Sequence, residues 1–154
     1  MKQSFLSVLL LTLLSISSFG QQAALRQKNY NLSKGLALEG YDPVSYFNGK
    51  PEKGAANFSL VQDGVTYRFA NAADLNKFKQ NPTAYEPQYG GWCAFAMGST
   101  GEKVEVDPET YKIIGGKLYL FYNKYFNNTL KTWNKSETTL KPKADANWQK
   151  IGKK

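Results

Sequence analysis

Phe58-Ser59-Leu60-Val61-Gln62-Asp63-Gly64-Val65-Thr66-Tyr67-Arg68-Phe69-Ala70, followed without a gap by Asn71-Ala72-Ala73-Asp74-Leu75-Asn76-Lys77-Phe78-Lys79-Gln80, decides the fold class of this chain. Two runs rich in β-branched and aromatic residues flank Asp63-Gly64, a dipeptide suited to the positive φ angles of a tight hairpin turn. Alternation places Val65, Tyr67 and Phe69 on one face. Asn71 then stands where it can cap a helix that carries Leu75 and Phe78 at helical spacing and stops at Pro82. The unit is a hairpin followed by a helix.

The same pattern recurs downstream. Residues 111–114 and 117–122 flank Gly115-Gly116 as a second hairpin, and residues 125–133 and 144–151 read as two closing helices. Between the hairpins, Pro87-Gln88-Tyr89-Gly90-Gly91 is a turn, and Trp92-Cys93-Ala94-Phe95-Ala96-Met97 is apolar throughout, a buried short helix or turn. Upstream, Asp42 is placed to cap a short helical turn that starts at Pro43, where the missing N–H costs nothing, and ends at Asn48-Gly49. The expected class is α+β: a small antiparallel sheet from two hairpins, packed with short helices.

The chain's ends point to its compartment. Lys2, an apolar run over residues 5–16 and the small residues of Ser18-Phe19-Gly20 form an export signal with cleavage after Gly20. The run is too short for a bilayer span, so the expected product has no membrane span and is secreted or periplasmic. Removing residues 1–20 leaves about 134, the size of one domain. Residues 21–35 are polar and aperiodic, a flexible lead-in, and residues 36–154 form the folded domain with a Lys-rich C-terminal tail. The net charge of +8 is concentrated in that tail, where the last 24 residues hold seven Lys against Glu137 and Asp145. Lysines scattered through a polar tail do not make a nucleic-acid surface; they suit a solvated tail or attraction to acidic envelope surfaces.

Composition removes much familiar chemistry. With no His there is no Ser-His-Asp or Cys-His nucleophile and no His-ligated metal, and the single Cys excludes an internal disulfide, CxxC redox chemistry and Cys-rich metal sites. The expectation is a non-enzymatic domain. Cys93 and Met97, four residues apart, would share one face of a helix and could offer a thiolate and a thioether to a soft metal ion such as copper. The competing reading is that Cys93 is a small buried hydrophobe and Met97 a gap filler. Tyr41-Asp42, Tyr89 and Trp92 are candidates to line a ligand groove, against core packing and a helix cap. Glu102, Glu105, Asp107 and Glu109 lack the spacing of a calcium loop and read as a solvated connection.

Six motifs run in order from Gly40 to about Ile151: Gly40-Tyr41-Asp42-Pro43-Val44-Ser45-Tyr46-Phe47, Tyr67-Arg68-Phe69-Ala70, Asn81-Pro82-Thr83-Ala84-Tyr85, Gln88-Tyr89-Gly90-Gly91-Trp92-Cys93-Ala94-Phe95-Ala96, Gly116-Lys117-Leu118-Tyr119-Leu120 and Ala144-Asp145-Ala146-Asn147-Trp148. Together they resemble the YHS domain family, specifically its secreted single-domain members. The resemblance implies a small α+β module and suggests metal association, since related metal-handling domains carry clustered cysteines. Those relatives show a Cys after the strand that here ends Phe69-Ala70, with another a few residues on, whereas this chain continues Asn71-Ala72-Ala73-Asp74. Only Cys93 stands within a matched motif. The expected function is an exported YHS-like binding module for a soft metal or a small ligand; the alternative is a structural or protein-interaction domain of the cell envelope, with an envelope protein as partner and no metal site.

Overall fold

A computed structural model describes residues 20–152. The expected export signal lies outside the described residues except for Gly20, and so do the last two lysines of the tail.

The first hairpin forms as its sequence predicts. Strands β1 (Leu32–Ser33), β2 (Leu36–Ala37), β3 (Ala55–Gln62) and β4 (Val65–Phe69) make one sheet in the order β1-β2-β4-β3. Gln62 pairs with Val65 across Asp63-Gly64, and both turn residues take positive φ. Val65, Tyr67 and Phe69 are fully buried, while Thr66 and Arg68 between them are not. Helix α2 (Ala72–Gln80) follows, with Asn71 Oδ1 accepting the Asp74 N–H at 2.9 Å, and Phe78 packs its ring 4.8 Å from that of Tyr67. Pro82 opens the next helix, α3 (Pro82–Tyr85).

After α4 (Ala94–Ser99) comes the second hairpin, β5 (Asp107–Ile114) and β6 (Lys117–Phe121). The molecule is α+β as expected, but the two hairpins do not join: β5 and β6 stand as a separate two-stranded sheet. Strand β6 is buried on both faces, which explains its unbroken apolar run. Leu118 and Leu120 join a core with Val65, Tyr67, Phe69, Phe78 and Tyr46; Tyr119 and Phe121 point the other way into a second core with Met97, Trp133, Leu140 and Ala144. Period-two alternation along one strand thus builds two cores.

Other expectations are revised in extent or in kind. The stretch expected to be a flexible lead-in is helical over residues 20–29 (α1) and continues into β1. Its most deeply set residues, Arg26 and Asn29, and Tyr30 just past its end are polar or aromatic, and its aliphatic residues Ala23 and Leu25 are only half-buried, so it lacks the aliphatic stripe that marks an amphipathic helix. Arg26 pairs with Glu86, and Asn29 is buried. The short helical turn expected after Asp42-Pro43 does form, as a 3₁₀ turn over Ser45–Asn48 that starts two residues beyond Pro43 and is ended by Gly49 at φ 87°. The two closing helices form with different bounds: the segment α5 (Thr129–Gly152) is broken at Ser136, where φ is −141°, so that a short first helix starts at Thr129 and a longer second one takes in Pro142. Residues 123–128, expected in part as the start of a helix, form a minimal hairpin of β7 (Asn123–Lys124) and β8 (Asn127–Asn128).

The contact of α4 with α5 depends on Gly98, where an added Cβ would lie 2.7 Å from the Leu140 carbonyl oxygen. Small residues permit backbone approach of this kind.

Candidate functional site

Cys93 lies at the end of an extended segment rather than inside a helix. Its backbone (φ −58°, ψ 117°) precedes the first turn of α4, its N–H donates to the Val104 carbonyl at 2.9 Å, and it bridges to Leu120 of β6. The rule that puts residues i and i+4 on one helix face therefore does not apply to Cys93 and Met97. Cys93 belongs to the core on the Leu118–Leu120 side of β6 and Met97 to the core with Trp133, both fully buried.

The Cys93 thiol is engaged on two sides. Sγ accepts the Tyr122 N–H at 3.3 Å and lies 3.5 Å from Thr129 Oγ1. The single hydroxyl proton of Thr129 is given to the Tyr122 carbonyl at 2.9 Å, so the thiol is the donor toward Thr129. Backbone and side-chain groups from β6's end and α5's start thus close a small ring around the sulfur.

A cleft of about 320 Å³ opens above this ring. Phe95, Ala96, Val104 and Tyr122 supply its apolar wall, Ser99, Thr100 and Asn127 its polar rim, and Glu102 its one charged group; no basic residue lines it. Glu102 Oε2 accepts the Thr100 hydroxyl at 3.1 Å. The volume is at the lower end of small-molecule sites, about 300–1,000 Å³. Among its residues, sequence reasoning singled out Cys93 as a site residue and read Glu102 as part of a solvated connection. Tyr122, Asn127 and Thr129 are almost thirty or more positions away from Cys93 and reach it only through the β6–α5 connection, for which no local motif exists.

The four proposed groove residues divide into two places. Tyr41 packs on the first core, its hydroxyl donating to Glu109 Oε1 at 2.9 Å and its ring lying 3.9 Å below Lys53 Nζ. The bond to Glu109 pushes the Tyr41 phenol above its ordinary range. Asp42 is fully buried; Oδ1 accepts the Val44 N–H at 2.8 Å and Oδ2 the Ala70 N–H at 2.9 Å. Burial raises its pKa, opposed by these backbone donors. Both carboxylate oxygens serve the chain itself.

Tyr89 and Trp92 lie on the second core. Tyr89 is held in the left-handed region at φ 56°, its hydroxyl donating to Asp145 Oδ1 at 2.7 Å; burial first, then that bond, raises its phenol far above the ordinary value. The adjoining Gly90 admits no side chain, since a Cβ there would stand 2.7 Å from Trp148 and 2.9 Å from Tyr30. Trp92 Nε1 donates to the Asn29 carbonyl of α1 at 2.7 Å. The Gly40–Phe47 and Gln88–Trp92 motifs therefore organise different parts of the backbone and do not converge on one groove. A second hollow, of about 200 Å³, lies between α1 and the end of α5 and is lined by Arg26, Tyr30 and Trp148.

Among the described residues no group of three or more His, Cys, Asp or Glu side chains is arranged to hold a metal ion, and no helix is long and apolar enough to cross a membrane. What the fold and site define is an α+β domain with a small, partly apolar cleft over a buried thiol. Comparison with models of known families, with curated proteins and with solved structures returned no match.

Proposed function

We propose that this chain is an exported, non-catalytic, YHS-like binding module, and that its ligand is a small molecule with an apolar body and a neutral or cationic polar group. The cleft above Cys93 carries the reading. Its aromatic and aliphatic wall would take the body, its hydroxyl and amide rim would orient the polar group, and Glu102 without a basic neighbour in the lining disfavours an anion. Binding of a small organic ligand is favoured over a soft-metal centre because the Cys93 sulfur already has two partners and Met97 faces the opposite core. Cys93 then serves as the sealed floor beneath the ligand.

The test is titration with tyramine, as a cationic aromatic probe, against 4-hydroxyphenylacetate, its anionic counterpart, followed by amide chemical shifts. Tyramine should perturb residues 93–104, 122 and 127–129, and Glu102→Gln should weaken it by about tenfold or less, as for an exposed charge pair. Shifts from neither probe at millimolar concentration, or shifts confined to other surfaces, would sink the cleft as the site. Tight stoichiometric Cu(I) binding lost in both Cys93→Ser and Met97→Leu would replace the small-ligand reading with a metal one.

A further inference from the structure

The hairpin of β7 and β8 turns through Tyr125 and Phe126, whose φ angles are 53° and 63°. Two positive φ values in a two-residue loop define the turn that Asn-Gly or Gly-Gly ordinarily fills. Bulky aromatic residues are outliers there, since Cβ crowds the following carbonyl. They are also the most exposed large hydrophobic side chains among the described residues: Tyr125 is 89% exposed and Phe126 entirely so. Here local propensity and solubility both oppose the residues present. Strain of that kind is concentrated where a segment binds something.

The shape and charge around the tip favour one kind of occupant. The aromatics stand at the end of a six-residue ribbon, flanked by Asn123, Lys124, Asn127 and Asn128, with no broad apolar surface around them. That is a poor match to a protein interface, which needs roughly 800 Å² on each partner. Lys131 and Lys135 lie exposed on the first turns of α5, opposite the buried Thr129 and Trp133. Lys124 reaches Glu105 only loosely, at 3.7 Å, and both groups are exposed. An exposed aromatic tip beside Lys124, with Lys131 and Lys135 exposed on the helix that follows it, fits a soft, negatively charged surface. Tyrosine settles at headgroup level, phenylalanine just below it, and lysines add attraction to acidic lipids.

We propose that the Tyr125–Phe126 tip inserts into the headgroup region of an anionic phospholipid bilayer, with Lys124, Lys131 and Lys135 against its surface. Because Asn127 is also part of the cleft's rim, docking in this way sets the mouth of the cleft beside the lipid.

The test uses the chain purified after export, with its mass confirming loss of the leader, and vesicles of phosphatidylglycerol and phosphatidylcholine in equal parts. Co-sedimentation should exceed that with pure phosphatidylcholine and should fall as salt rises. A Phe126→Trp reporter should shift its emission to the blue on adding the acidic vesicles. The double variant Tyr125→Asn/Phe126→Gly, which gives the turn its preferred residues, should raise the thermal midpoint and yet bind about tenfold more weakly or less still. That opposition of stability and binding is what a merely structural turn would not show. Three results would overturn the proposal: no binding of the unaltered chain to acidic vesicles, equal binding by the double variant, or a concentration-dependent dimer that the double variant abolishes, which would assign the tip to a second copy. Tyramine binding in the cleft is measured independently and can fail or succeed without affecting these outcomes.

Discussion

Asp42 fastens Ala70 to the core: its buried Oδ2 accepts the Ala70 N–H at 2.9 Å, while Oδ1 accepts that of Val44 at 2.8 Å. One carboxylate thereby ties the end of β4 to the 3₁₀ turn at Ser45–Asn48. Replacing it by Asn leaves a single acceptor and sets an amide N–H₂ against a backbone donor. Asp42→Asn should destabilise the fold by about 1–3 kcal/mol, the cost of a buried unsatisfied donor. Urea unfolding would show it, and an unchanged midpoint would mean that the carboxylate is dispensable to the fold and free for a ligand.

Gly98 lets α4 lie directly on the backbone of α5. A methyl group there meets the Leu140 carbonyl oxygen at 2.7 Å, and backbone cannot yield as a flexible side chain would. Gly98→Ala should cost about 1–3 kcal/mol through forced separation of the two helices, outweighing the gain in helix propensity. Its signature is loss of near-ultraviolet dichroism from the buried Trp133.

Arg26 of α1 and Glu86 after α3 form an ion pair at 13% and 12% side-chain exposure, and the Tyr67 hydroxyl also donates to Glu86 at 3.2 Å. Glu86→Ala should cost about 3 kcal/mol, because it strands a largely buried guanidinium. Removing both charges should cost less than the sum of the single changes. A double-mutant cycle measures this, and single variants without effect would return residues 21–35 to a loosely attached leader.

Tyr30, Tyr46, Tyr67, Tyr89 and Tyr119 are all held above the ordinary phenol value of 10.0, in each case chiefly by burial. Above about pH 10 the unfolded chain has lost phenol protons that the folded chain keeps, so the slope of unfolding free energy against pH is negative. Their contribution is complete below the unfolded value and is lost as pH rises toward the raised folded values. With no histidine in the chain, the thermal midpoint should hold between about pH 6 and 8. Phenolate absorbance from the four buried ones, Tyr46, Tyr67, Tyr89 and Tyr119, should appear only together with unfolding; ionisation ahead of it would mean that solvent reaches them in the native state.

What the sequence by itself determined were the elements whose signals are local. Asp63-Gly64 specified the first turn, alternation over Val65–Phe69 its buried face, Asn71 and Pro82 the limits of α2, and Gly115-Gly116 the second turn, because turn angles, side-chain period and caps are properties of a few adjacent residues. Tertiary structure decided the rest. Helix α1 is held by Arg26 against Glu86 and Asn29 against Trp92, contacts sixty or more positions apart that leave no periodicity in residues 20–29. Tyr125 and Phe126 read as the start of a helix because aromatic residues rarely enter a turn that demands positive φ. Cys93 and Met97 were placed together by a helical spacing that holds only once a helix has begun, and α4 begins one residue too late. The cleft owes its form to Tyr122 and Thr129, supplied by the connection from β6 to α5, and only packing of the whole chain brings them to the sulfur.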